Sequence, residues 1–118
     1  MPITRAPSEI FDDLVLDAVE ELEVRWAAEL ADIDFAVEDV PPEAGTTFDP
    51  AVVADRGVPL GRVDRASDKT ALVVVYRRPL EARAADRQDR GDLVFSVVAE
   101  LVAEALGKDI DELDPPTD

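Results

Sequence analysis

Residues 93–107 read LVFSVVAELVAEALG, and the way their apolar side chains fall decides the fold. Leu93, Val94, Val97, Val98, Leu101, Val102, Ala105 and Leu106 recur at the three- and four-residue spacing of one helix face, and Gly107 stands where a left-handed residue closes a helix. The pattern predicts a helix opened near Asp89 to Asp92 and buried over much of its face. Such a helix needs an apolar surface to lie on.

Upstream sequence supplies that surface. After Thr70, the run Ala71-Leu72-Val73-Val74-Val75-Tyr76 is rich in β-branched residues and lacks polar alternation, which predicts a central strand covered by helices. Arg77-Arg78-Pro79-Leu80 ends it, and one or two helical turns are expected over residues 80–87. Five arginines between Arg77 and Arg90 form a basic island. No glycine-rich cradle accompanies them, so they read as ion-pair partners for acidic neighbours or as solvated surface rather than as a phosphate site.

Further toward the N-terminus, residues 57–63 (GVPLGRV) form a short strand interrupted by Pro59, which places it at a sheet edge. Residues 42–50 carry turn chemistry without periodicity, and this loop is expected to reach about Val52. Ile33, Phe35 and Val37 alternate with Asp34, Ala36 and Glu38 as a strand with one buried face, stopped by Pro41-Pro42. A first helix is expected from Ser8, as its cap, to about Ala31, with Phe11, Leu14, Val15, Ala18, Val19, Leu22, Trp26 and Leu30 on its apolar stripe. Beyond Gly107, residues 109–118 allow at most a turn of helix before Pro115-Pro116. Two amphipathic helices on a small sheet of three to four strands make the fold class α+β.

The chain has 118 residues, which fits a single domain over 1–118 with an ordered core about 8–113. Histidine and cysteine are both absent. Disulfides, thiolate nucleophiles, histidine-containing triads and the usual zinc, haem and iron–sulfur ligation are excluded with them. Against 12 Lys and Arg stand 28 Asp and Glu, a net charge of −16 that repels phosphate backbones, so nucleic acid is not an expected partner. Residues 8–34 alone hold ten acids and one arginine. This charge suits a solvated acidic surface, a basic protein partner or a hard cation. Neither a signal-peptide pattern nor an apolar run of membrane-spanning length is present, so no membrane association and a cytoplasmic location are expected.

The order of these pieces is similar to that of the small bacterial minimal zincin-like metallopeptidases. An acidic first helix, a strand ending in Val40-Pro41-Pro42, a Gly57-Val58-Pro59-Leu60 edge, a Val-rich strand entering Arg77-Arg78-Pro79-Leu80-Glu81, and a last helix from Leu93-Val94 carry the resemblance, from about Ile10 to Leu113. It implies a minimal zincin-like fold with a mixed sheet, and on the last helix an H-E-x-x-H motif, whose imidazoles hold zinc while the carboxylate activates its water. The matching residues here are Ala99-Glu100-Leu101-Val102-Ala103. Ala99 and Ala103 thus occupy the positions of the zinc ligands, and Glu100 is left as a vestigial general-base position. The interval to Gly107 is one residue longer than the resemblance implies.

No metal, no cofactor and no catalytic residue are expected from this departure. Ala99 and Ala103 share one helix edge with Asp92 and Ser96, where small side chains either leave a shallow groove or admit another element, packing being the expected use. Glu100 is expected on a polar face, bonded to arginine or solvent, and Trp26 and Tyr76 are expected as core or core-edge aromatics rather than ligand platforms. Asp109, Asp111, Glu112 and Asp114 cluster after Gly107 but lack the spacing of a calcium loop. The expected function is a zincin-like domain without its zinc site, inactive as a peptidase and serving as a scaffold or protein-binding module. The alternatives are a divalent-metal-dependent hydrolase using Glu100 and other carboxylates, and an acidic adaptor for a basic protein. Oligomeric state is left open.

Overall fold

The computed structural model describes residues 7–41, 52–65 and 71–108. The order of elements is α1 (Pro7–Leu30), β1 (Ile33–Glu38), β2 (Val52–Asp55), β3 (Val58–Arg65), β4 (Ala71–Tyr76), α2 (Arg77–Arg83) and α3 (Arg87–Leu106). The class is α+β: two long helices and a short one on a four-stranded mixed sheet of order β1-β4-β3-β2. Among the described residues no helix is long and apolar enough to cross a membrane.

The expected apolar stripes form the core. Phe11, Val15, Ala18, Leu22 and Leu30 of α1 and Val94, Val97, Val98, Leu101 and Val102 of α3 are buried, with Leu14, Val19 and Trp26 packed at the margin. Helix α1 starts at Pro7, a residue whose missing N–H suits a first turn, so Ser8 lies inside the helix rather than capping it. It bends at Trp26 (φ −122°, ψ 27°) before Leu30 returns to the core. Helices α1 and α3 run side by side in the same direction. An added Cβ on Gly91 would lie 3.9 Å from Leu14 Cδ2 near their starts, and Lys108 Nζ sits 5.5 Å from the Trp26 ring centroid near their ends.

Strand β4 is central, as its continuous apolar run requires: it pairs in parallel with β1, Ile33 opposite Ala71, and antiparallel with β3, Gly61 opposite Val75. Period-two alternation then sorts the sheet into two faces. Val63, Val73, Val75 and Ile33 join the helices in the core, whereas Arg62, Asp64, Glu38 and Tyr76 share the opposite face.

Four expectations on position and boundaries are corrected. The strand carrying Pro59 is not an edge: β3 lies between β4 and β2, and β2 forms the edge. Pro59 is tolerated because the pairing with β4 spans only Gly61 to Arg65, leaving Pro59 beyond it, and because the β2 register shifts between Val53 and Ala54, beside Pro59's partner Ala54. A two-residue turn of Arg56 (φ 51°) and Gly57 (φ 80°) joins β2 to β3, so Gly57, expected as the first strand residue, lies in a hairpin turn, and a further strand begins where the loop was expected to end. Helix α2 begins at Arg77, directly from β4, rather than at Leu80. Helix α3 begins at Arg87, two residues ahead of the expected opening.

Candidate functional site

The rotation of α3 about its own axis decides what Ala99, Glu100 and Ala103 face, and both ends of the helix are pinned. At its start the Asp86 carboxylate accepts from the Asp89 N–H at 2.8 Å, while the Asp89 carboxylate accepts from the Ala85 N–H at 2.8 Å. At its end Gly107 takes the left-handed conformation (φ 69°), its N–H donating to Glu104 O at 3.2 Å and that of Lys108 to Ala103 O at 2.9 Å. Arg65 of β3 reaches the same end and donates to the carbonyls of Glu104 and Ala105. A guanidinium there also opposes the negative end of the helix dipole.

So fixed, α3 turns Ala99 and Ala103 into the core, 2% and 4% exposed, among Val98, Leu101 and Val102. Glu100 faces the other way and is exposed. It lines an open cleft of about 600 Å³ between α3 and the β2 edge. Val53, Leu60 and Leu93 give that cleft apolar wall, and Asp55, Arg83 and Asp89 give it charge.

The cleft's other acids are already used. Asp55 accepts from Arg83 Nε at 2.7 Å through its carboxylate and from Nη2 at 3.1 Å through its carbonyl, and Arg83 also reaches Pro79 O at 3.3 Å. Asp89 is engaged at the start of α3. Glu100 is exposed and forms no side-chain hydrogen bond or ion pair among the described residues, so the expected arginine partner is not found among them. Ser96 stands exposed on the same cleft.

The ligand positions implied by the family resemblance do not fit zinc. Zinc takes nitrogen, sulfur or oxygen lone pairs, and Ala99 and Ala103 offer buried methyl groups. No buried side-chain nitrogen or oxygen among the described residues lacks a partner, so no polar group is left waiting for an ion. Nor do three or more acidic side chains gather among the described residues in a way that could hold one. The cluster of Asp109, Asp111, Glu112 and Asp114 lies outside the described residues.

Among the described side chains of the arginine island, Arg77, Arg83 and Arg90 form ion pairs, one of the two uses expected. Arg77 donates to Asp39 at 3.0 Å and to Glu81 at 2.9 Å, Arg83 holds Asp55, and Arg90 stands 3.9 Å from Glu81. On the far face of the sheet, Arg62 binds Glu38 at 3.1 Å, Asp64 at 3.0 Å and the Tyr76 hydroxyl at 2.7 Å, joining β1, β3 and β4. Its guanidinium pKa is raised, chiefly by the Glu38 bond, with desolvation opposing and Tyr76 and Asp64 reinforcing. Arg77 is raised in the same sense, first by Asp39, against desolvation. Tyr76 is accordingly buried on the sheet face away from the helices, beneath Arg62, with its hydroxyl satisfied.

Sequence reading located α3 and its alanines but missed the cleft wall from β2 and Arg83. A four-residue strand after Pro50 carries too little periodicity to announce itself. A comparison with protein families finds a match to the zincin-like metallopeptidase model over residues 30–117. No curated protein matches the chain.

Proposed function

The chain belongs to the zincin-like metallopeptidase family, and we propose that within it this domain has lost its zinc site and serves as a protein-binding scaffold instead of a peptidase. One observation carries the reading: at the two positions where the family's motif places imidazoles, the chain has methyl groups packed into the core. Peptide hydrolysis in such a site depends on a zinc-bound water whose pKa falls from about 15.7 to about 7. Glu100 retains the place of the base, but nothing beside it supplies that water. Its cleft persists as a surface of mixed apolar and charged character, suited to binding.

The test is metal analysis and peptide cleavage on protein purified without an affinity tag. The scaffold reading expects no stoichiometric zinc and no cleavage of casein or peptides, with or without added zinc, magnesium or calcium. Tightly held zinc with turnover would overturn it. Turnover that disappears in chelator and in Glu100→Gln would establish the carboxylate-dependent hydrolase in its place.

A further inference from the structure

We propose that the groove between α1 and α3 docks a lysine- or arginine-bearing amphipathic helix of a partner protein. The groove encloses about 470 Å³, with Leu14, Ala18 and Phe95 as apolar floor and Asp17, Glu21 and Asp92 around it. It opens on the side of α3 away from β2, with Ser96 on the crest shared with the Glu100 cleft. This inference rests on the scaffold reading and names the partner's chemistry.

The sign of the partner follows from how the chain distributes its ion pairs. Among the described residues, Arg62, Arg77, Arg83 and Arg90 pair with Glu38, Asp64, Asp39, Asp55 and Glu81, acids that lie on the sheet, its loops and α2, and Arg65 is spent on the end of α3. Asp17, Glu21 and Asp92 are exposed and make no ion pair or side-chain hydrogen bond among the described residues. Asp17 and Glu21 stand one helical turn apart on α1 and Asp92 lines the same groove from α3, so a cation brought there is attracted by all three carboxylates. A second copy of this chain is a poor occupant, since each carries a net charge of −16.

Gly91 points the same way. A glycine inside a helix costs about 1 kcal/mol relative to alanine. Packing does not demand it, because a Cβ there would meet only Leu14 Cδ2, at 3.9 Å, an ordinary contact. Its bare α-carbon instead leaves the groove wall open. The walls are two helices with no strand edge between them to add to, so the occupant must be read by side chains. A helix whose apolar anchors recur at three- and four-residue spacing, flanked by cations, meets the floor and the acids together.

The experiment measures fluorescence anisotropy of a synthetic lysine–leucine peptide with leucines at helical spacing, against a scrambled peptide of the same composition. The full chain should bind the patterned peptide about tenfold more tightly than the scrambled one. Asp17→Asn/Glu21→Gln/Asp92→Asn should weaken that binding about tenfold or more, and Asp32→Asn/Asp34→Asn/Glu104→Gln, an equal charge change elsewhere, by less than about threefold. Gly91→Leu should weaken it too, and if that variant fails to fold, the two charge triples still decide. Equal binding of both peptides, equal losses in both triples, or no binding of the patterned peptide overturns the groove. Zinc-dependent cleavage with groove binding intact would instead overturn only the scaffold reading.

Discussion

Gly61 and Leu101 touch so closely that a methyl group added to the Gly61 α-carbon would fall 2.6 Å from Leu101 Cδ1 and 2.7 Å from the Val74 carbonyl oxygen. This contact sets how near α3 lies to the sheet. Gly61→Ala is therefore expected to destabilise by about 2–3 kcal/mol, the cost of overpacking, and to lower Tm by roughly 10 °C. Adding Leu101→Ala should recover little of that loss, because the backbone carbonyl cannot move aside and the second change removes buried apolar volume. Thermal melts of the single and double variants check both statements.

The opposite outcome is expected one helix turn into α3. Gly91→Ala gains helix propensity at a position where the new methyl meets only Leu14 at van der Waals distance. Stability should rise by about 0.5–1 kcal/mol, read as a higher denaturant midpoint with unchanged slope.

Restoring the motif by Ala99→His/Ala103→His should damage the fold before it recovers a metal. Both methyls lie in the packed core. Two imidazoles there add volume and polar nitrogens without partners, at a combined cost of about 3 kcal/mol or more. The expected result is a lower Tm that added zinc does not restore. A variant that melts like the wild type and retains one zinc through dialysis would contradict the packing described.

The first and last helices were legible from residues alone because their apolar stripes run long enough for the 3.6-residue period to show. The central position of β4 followed from its unbroken apolar run. What escaped were features decided by neighbours. Pro59 argues for an edge in any isolated reading, and only the end of the β4 pairing and the irregularity in β2 make an interior strand possible. The motif's alanines and their use in packing were legible from sequence, whereas the contact of Arg65 with the end of α3 was not. The groove beside α1 was only half legible, since acidity can be counted while pairings of arginines with carboxylates far along the chain, such as Arg62 with Glu38 and Arg83 with Asp55, cannot.

The pH response of the sheet's far face follows from Arg62. Its pKa is raised on folding, so its stabilising effect is complete below the unfolded-state value, itself far above neutrality, and is lost only as pH climbs through the still higher folded value. Arg62→Gln should cost about 1–2 kcal/mol through lost charged hydrogen bonds to Glu38, Asp64 and Tyr76. Denaturant titrations should give that difference unchanged, within about 0.5 kcal/mol, from pH 6 to pH 9.

The parallel pairing of β1 with β4, Ile33 opposite Ala71, also governs how the chain is made. Strands β2, β3 and β4 follow one another as an antiparallel meander and can close on short-range contacts. The segment from Ile33 to Glu38 leaves the ribosome first and finds no mate until Tyr76 has followed it out, and α1 waits longer still for α3. Throughout that interval the apolar side of the N-terminal part is unmatched, and it lies beside a dense run of carboxylates.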